Sequence, residues 1–370
     1  MPVPRPVVGS VTALTVFAAA AAAAAAGACN GSPTMVTAPI PSPGVRTALP
    51  PLASGTVAFV GVNVVPMTGP EALSDRTVIV RDGRIDAIGP REETEIPADA
   101  ERIDADGRFL LPGLIDMHVH LSRADIDAYL AAGITTVRNM WGTPTVAQLR
   151  AEAAEGALVP TIFSAGPGLD GDPPYWPNSV VVEEADAAAE AVERQAADGW
   201  DFIKVYNSLE PGPYDAIIER ARELGVTVVG HTPRPVGLER ALEAGQASIE
   251  HMGGFEVALG GRVGFAGWQA MDAGRLDSLA RRVAERGVWI CPTLSVVAEL
   301  TRRLGPDERA TVLENRRRTL RALHEAGVPV LAGTDAGIDV VPPGARHSPR
   351  SSSASRLPGS GPTARWVPRP

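Results

Sequence analysis

The stretch Phe109-Leu-Leu-Pro-Gly-Leu-Ile-Asp-Met-His-Val-His120 decides how this chain is read. It is an apolar run that closes in two histidines one residue apart. Alternate residues of a strand point to the same face, so His118 and His120 project together while Val119 faces the other way. Two imidazoles on one face at the end of a buried strand make half a site for a divalent metal. Two surface histidines on an exposed strand are the competing reading. The preceding Leu-Leu-Pro-Gly-Leu-Ile-Asp is too apolar to favour it.

Downstream of this stretch, strand signals alternate with helical ones. Strands are expected at Leu111–His120, Ile134–Arg138, Pro160–Ala165, Phe202–Tyr206, Val226–His231, Ser248–His251, Trp289–Leu294 and Pro329–Asp335. Amphipathic segments rich in Ala, Glu and Arg lie between them, among them Val182–Asp198, Tyr214–Leu224, Arg275–Arg286 and Pro306–Ala326. Gly133, Gly199, Gly225, Gly287 and Gly327 each stand just before a strand, where a helix ends in a left-handed residue. This alternation predicts a parallel α/β fold, and the count of strands favours a (β/α)8 barrel over an open sheet. No glycine-rich phosphate loop follows the first strand, which weakens a dinucleotide-binding reading.

Upstream, residues 56–108 read as a small β domain. Thr56–Val65, Thr77–Ile88 and Glu101–Gly107 carry β-forming residues, with Asp82-Gly83 and Asp106-Gly107 as turns. Residues 30–55 are rich in Pro, Ser, Thr and Gly and read as a flexible linker. Residues 1–29 read as an export signal: Arg5, an alanine-rich apolar run, then Ala26-Gly-Ala-Cys29. Small residues before a cysteine suggest lipidation of Cys29, although Ala26 stands where a lipoprotein signal usually has leucine. An ordinary cleaved signal or an uncleaved anchor remains open. The expected location is therefore exported, either periplasmic or membrane-anchored.

After Val341 the pattern stops. Residues 342–370 are rich in Pro, Ser and Arg, in contrast with a chain of net charge −9. The eighth strand has no helix after it to cover its outer face, so the last helix of a barrel is missing. A frameshift or premature end is favoured for this tail, and a genuine disordered tail is the competing reading.

With 45% apolar residues the chain is globular in composition, and its acidic balance without a basic cluster in the body argues against nucleic acid as a partner. Two cysteines, Cys29 and Cys291, imply no disulfide framework. Metal-binding side chains concentrate instead at strand ends: His118 and His120 on the first, Lys204 on the fourth, His231 on the fifth, His251 on the sixth, Asp335 on the eighth. The carboxyl ends of barrel strands are where active sites assemble. Lys204 is the only lysine in the sequence. Among Phe202, Ile203 and Val205 its amine would be buried, which lowers its pKa. A neutral amine can form a carbamate with carbon dioxide, an anionic ligand able to bridge two metals, whereas arginine stays protonated. A lysine that snorkels to the surface is the alternative.

Pro112-Gly-Leu-Ile-Asp-Met-His-Val-His120, Phe202-Ile-Lys-Val-Tyr206, Gly230-His231, Ser248-Ile-Glu-His251 and Gly333-Thr-Asp335 together resemble the amidohydrolase superfamily, in its imidazolonepropionase-like and prolidase-like branch. The resemblance covers residues 56 to about 341. It implies a barrel hydrolase (residues 109–341) with a small β-sandwich domain built from both chain ends. It further implies two divalent metals, expected to be zinc: His118, His120 and Asp335 on the buried one, His231 and His251 on the outer one, carboxylated Lys204 between them. Arg138-Asn139 departs from the Arg-Asp frequent in the family, and the missing eighth helix is a second departure.

Two metals would generate a bridging hydroxide at neutral pH. Asp335 would take its proton and pass it to the leaving group, with Tyr206 or His231 assisting at the carbonyl. The expected activity is hydrolysis of an amide-type C–N bond in a small-molecule or dipeptide substrate. The alternatives are an Xaa-Pro-type metallo-dipeptidase, a less favoured lactone or phosphoester hydrolase, and a truncated, catalytically silent product. The sequence leaves the oligomeric state open. Gly166–Pro177 reads as a long loop, either a substrate lid bearing Tyr175 and Trp176 or a rigid surface loop. Arg234 is a candidate grip for a substrate carboxylate, or simply solvated. His324 and Cys291 are expected to be structural, and His347 is given no role.

Overall fold

Asp82 and Gly83 both adopt positive φ, 49° and 71°, the conformation that lets a two-residue turn match the twist of the strands it joins. In the computed structural model, which describes residues 54–337 and Val341, this turn links β2 (Leu73–Arg81) to β3 (Arg84–Pro90). β2 pairs antiparallel with β1 (Thr56–Val64), and β1 pairs in parallel with β4 (Glu101–Asp104) and β5 (Phe109–Leu110). Val62, Val64, Val78, Val80 and Ala105 pack on one face of this sheet. The sheet takes in β5, beyond the expected boundary at residue 108. The export signal, most of the linker, Cys29 and the C-terminal tail lie outside the described residues.

From Leu114 onward every strand pairing is parallel. β6 (Leu114–Val119), β7 (Ile134–Asn139) and β8 (Thr161–Ser164) form one sheet. β9 (Leu169–Asp170), β10 (Val180–Val181), β11 (Phe202–Val205), β12 (Thr227–Gly230), β13 (Ser248–Glu250) and β14 (Trp289–Cys291) form another, in the order β10-β9-β11-β12-β13-β14. Single parallel bridges connect Ala165 to Phe202, Ile290 to Val330, and Val119 to Ala336. The pairing path therefore runs β6, β7, β8, β11, β12, β13, β14, then the 330–336 segment, and returns to β6.

The last run, expected as a strand over Pro329–Asp335, makes bridges rather than a continuous ladder. Leu331 N–H donates to Ile290 O, Met117 N–H to Ala332 O and Asp335 N–H to His118 O. Asp335 itself sits at φ 62°, so the backbone leaves the extended conformation where the site begins. The long loop expected over Gly166–Pro177 has structure of its own. It contains β9, and the buried carboxylate of Asp170 accepts from the backbone N–H groups of Gly171, Tyr175 and Ser208.

Parallel neighbours need a crossover, and helices with an apolar stripe supply it. On α4 (Pro211–Leu224) the stripe is Tyr214, Ile217, Ile218 and Ala221, and on α8 (Leu276–Arg286) it is Leu276, Leu279, Ala280 and Val283. Both follow i, i+3, i+4, i+7 spacing. The other helices are α1 (Ile126–Ala131), α2 (Pro144–Ala154), α3 (Ala185–Ala197), α5 (Gly237–Ala244), α6 (Phe255–Gly260), α7 (Phe265–Gln269), α9 (Leu294–Leu300) and α10 (Pro306–Glu325). The five glycines expected at helix ends all take positive φ. The stripe of α10 contains one charged residue, Arg316, between Val312 and Leu320.

Candidate metal centre

Strand pleating brings His118 and His120 to one oxygen. His118 Nε2 lies 3.3 Å and His120 Nε2 3.2 Å from Asp335 Oδ1, as side chains two apart on a strand require. The three residues offer ligand atoms all within 4.8 Å of one another. The remaining histidines join this cluster. The His118 and His251 ring centroids are 4.6 Å apart, those of His231 and His251 4.7 Å, and His251 Nδ1 is 3.7 Å from Asp335 Oδ2. Lys204 is buried, with Nζ 5.4 Å from the Trp141 ring centroid and 5.3 Å from that of Tyr206. All six expected ligands, spread over more than two hundred residues of sequence, thus converge at the carboxyl ends of the strands.

Three of the four imidazoles are oriented by a partner on Nδ1. His118 pairs with Glu250 Oε2 at 2.7 Å, His231 with Asn207 Oδ1 at 3.0 Å, and His251 with Thr293 Oγ1 at 2.7 Å. Such partners fix the ring and leave Nε2 as the free donor. His118 Nε2, His231 Nε2 and Asp335 Oδ1 are in fact buried polar atoms without a hydrogen-bond partner among the described residues. Buried polar atoms rarely go unsatisfied. Nitrogen and oxygen donors aimed at a common space fit a divalent cation of the zinc type.

The electrostatics follow from burial. Burial holds His120 down to about 4 and His251 down to about 3, and it keeps His231 well below the usual imidazole value, so these three rings are neutral. Burial opposes the charged form of His118 as well, but Asp335 and Glu250 outweigh it and raise its pKa. Burial would raise Asp335, yet His118 and His251 hold it well below the carboxylate range. Lys204 is lowered to about 8, first by burial and further by Arg138, against the pull of Asp335 and Glu250. About a tenth of such an amine is neutral at pH 7.

Sequence reasoning missed the layer behind the ligands. Glu250 accepts from Arg138 Nη2 at 2.7 Å and from Ser248 Oγ at 2.6 Å, in a wholly buried pair. Asp116 accepts from the N–H and Oγ1 of Thr334 and from His118 N–H. The signal was present as polar residues at period two in otherwise apolar strands, Ser248/Glu250 and Asp116/His118/His120. Gly333 packs so tightly that a Cβ there would lie 2.5 Å from Cys291 Sγ and 2.8 Å from His118 Cβ.

Tyr206 stacks on His231, ring centroids 3.9 Å apart, and its hydroxyl accepts from Trp176 Nε1 at 2.8 Å. Tyr175 closes this aromatic cluster at 5.6 Å from Tyr206. Arg234 is exposed beside His231 and lines a neighbouring cavity. His324 lies in the last turn of α10, and Cys291 is buried with its thiol pushed up by burial. His347 lies outside the described residues.

The profile of the Amidohydrolase family matches residues 109–356. Imidazolonepropionase from Saccharopolyspora erythraea is 31% identical over 224 residues, covering 48% of this chain and 57% of that protein. The chain spans about half the length of the curated relatives it matches. Among solved structures, a Bifidobacterium longum protein provisionally assigned as a prolidase superposes with TM-score 0.64 at 24% identity, covering 80% of this chain and 77% of that one. A Xaa-Pro dipeptidase with bound methionine in its active site superposes with TM-score 0.59 at 22% identity, covering 78% and 81%. These two likenesses bear on the fold, and the family profile covers most of the chain: the protein belongs to the amidohydrolase family.

Proposed function

We propose that this protein is a metal-dependent hydrolase that cleaves an amide-type C–N bond in a small-molecule or dipeptide substrate. The observation that carries this is the cluster of His118, His120, His231, His251, Lys204 and Asp335, in which three buried ligand atoms lack a hydrogen-bond partner among the described residues. His118, His120 and Asp335 would hold one divalent metal, His231 and His251 a second, with Lys204 as a carbamate between them and zinc as the expected ion. The bound metals supply a nucleophilic water at neutral pH and polarise the scissile carbonyl.

The chain's own residues do the rest. Asp335, kept ionised by His118 and His251, accepts a proton on its carboxylate and returns it to the leaving nitrogen. Glu250 holds the His118 ring through Nδ1 and is itself neutralised by Arg138. Tyr206, held by Trp176, and His231 border the position of the carbonyl.

The parallel pairing path that returns from 336 to Val119 supports a closed (β/α)8 barrel, with the small N-terminal sheet as one layer of a β-sandwich. Residues 1–29 support export, with Cys29 as a lipid anchor. No helix among the described residues is long and apolar enough to cross a membrane.

The aromatic cluster of Tyr175, Trp176 and Tyr206 favours a second reading, an Xaa-Pro-type dipeptidase, because flat rings suit a pyrrolidine. Elemental mass spectrometry on soluble protein lacking residues 1–29, followed by assay against a dipeptide and N-acyl amide library, tests both. Close to two metals per chain with turnover supports the binuclear hydrolase. Absence of metal and of turnover supports a catalytically silent product.

A further inference from the structure

A cavity of about 500 Å³ opens beside His231 and His251, a size ordinary for a small-molecule site. Its walls come chiefly from the segment after β12, α5, α6 and α7, and His231, which lines it, carries Tyr206 on its ring. Val236, Leu238, Val257, Val263, Phe265 and Trp268 are among the residues that line it. Val257 is 44% exposed and Val263 53%, so apolar surface stands open to water on the wall of a cavity that adjoins the proposed metal ligands.

Of the charged residues that line it, Glu239 is paired with Arg282 and Arg234 stands free at the surface, while Arg316 and Glu256 are committed or discouraged. Arg316 donates from Nη2 to two backbone carbonyls and lies over the Trp268 ring at 4.7 Å. Glu256 is raised by burial toward its neutral form. An apolar substituent placed among these walls would remove the valines from water.

Resting on the amide-hydrolase reading, we propose that this cavity is the subsite for a bulky apolar substituent of the substrate, of leucine or phenylalanine size, next to the scissile bond.

Binding of three hydroxamates to the metal-loaded protein, measured by calorimetry, tests this without requiring turnover. Acetohydroxamate reports the metal site alone, isocaproyl hydroxamate adds a leucine-like branch, and succinyl monohydroxamate adds a carboxylate. The isocaproyl compound is expected to bind about 10- to 100-fold tighter than acetohydroxamate, and tighter than the succinyl compound. Val257→Trp and Val263→Asp, both at exposed positions away from the ligands, should each erase the isocaproyl gain. Metal content and acetohydroxamate affinity should stay unchanged. Equal affinity for the acetyl and isocaproyl compounds, or tightest binding of the succinyl one, overturns the subsite while leaving the hydrolase reading intact. Failure of all three to bind a metal-loaded protein removes the hydrolase reading, and the subsite with it.

Discussion

Arg316 Nη2 donates to the carbonyl oxygen of His251 at 2.5 Å, and the same nitrogen reaches the carbonyl of Pro292 at 3.3 Å. His251 has φ 59° and Thr293, which follows Pro292 and bonds the His251 ring, has φ 42°. Non-glycine residues in this region are strained and persist only where their surroundings hold them. A guanidinium from α10 thus steadies two left-handed turns at the edge of the metal centre. Arg316→Met is expected to weaken metal binding about 10- to 100-fold, as losses behind a metal ligand do. Competition with a chromophoric chelator reads this directly, and unchanged affinity would leave Arg316 with a packing role only.

Glu250→Gln should be costly for stability. It strips the buried Arg138 guanidinium of its counter-charge and weakens the bond to His118 Nδ1. Breaking one partner of a buried pair costs about 3–5 kcal/mol. Chemical denaturation should show a loss of that order, and adding Arg138→Met to Glu250→Gln should recover part of it. A loss no larger than that of a surface substitution would mean that the pair is solvated.

Asp335→Asn is expected to abolish turnover while most of the metal stays bound, because the amide keeps an oxygen donor but accepts no proton. Near-normal turnover removes Asp335 as the base.

Lys204→Arg keeps a cation of similar length among Trp141 and Tyr206 but cannot form a carbamate. Metal content per chain should fall. An unchanged metal count would show that no carbamate bridges the ions.

Metal-free protein should lose stability in mild acid. His120 and His251 are held by burial at about 4 and about 3, against 6.5 as the ordinary value. The unfolded chain therefore takes up protons first, and stability falls as pH drops from about 6.5 toward those lower values. Thermal melts of chelator-treated protein across that window measure it. A melting temperature flat from pH 7 to 4 contradicts the burial of these rings.

Much of this site was legible in the sequence. Strand pleating alone brought His118 and His120 to one face, and the position of the single lysine pointed at buried chemistry. The amphipathic periods of α4, α8 and α10 were equally plain, because apolar spacing is a local property of the chain. Other features depended on contacts between segments far apart in sequence. Arg316 sits on the buried stripe of α10, where spacing alone predicts an apolar residue, and its purpose appears only when the His251 carbonyl is brought against it. Glu250 reads locally as a polar strand residue until β7 places Arg138 beside it. The left-handed turns at His251, Thr293 and Asp335, the ordering of residues 166–177 around Asp170, and the apolar cavity were likewise decided by tertiary packing. Local sequence sets which way a side chain leaves its own strand or helix. Which groups then share a buried, low-dielectric space depends on the crossovers that bring the strand ends together.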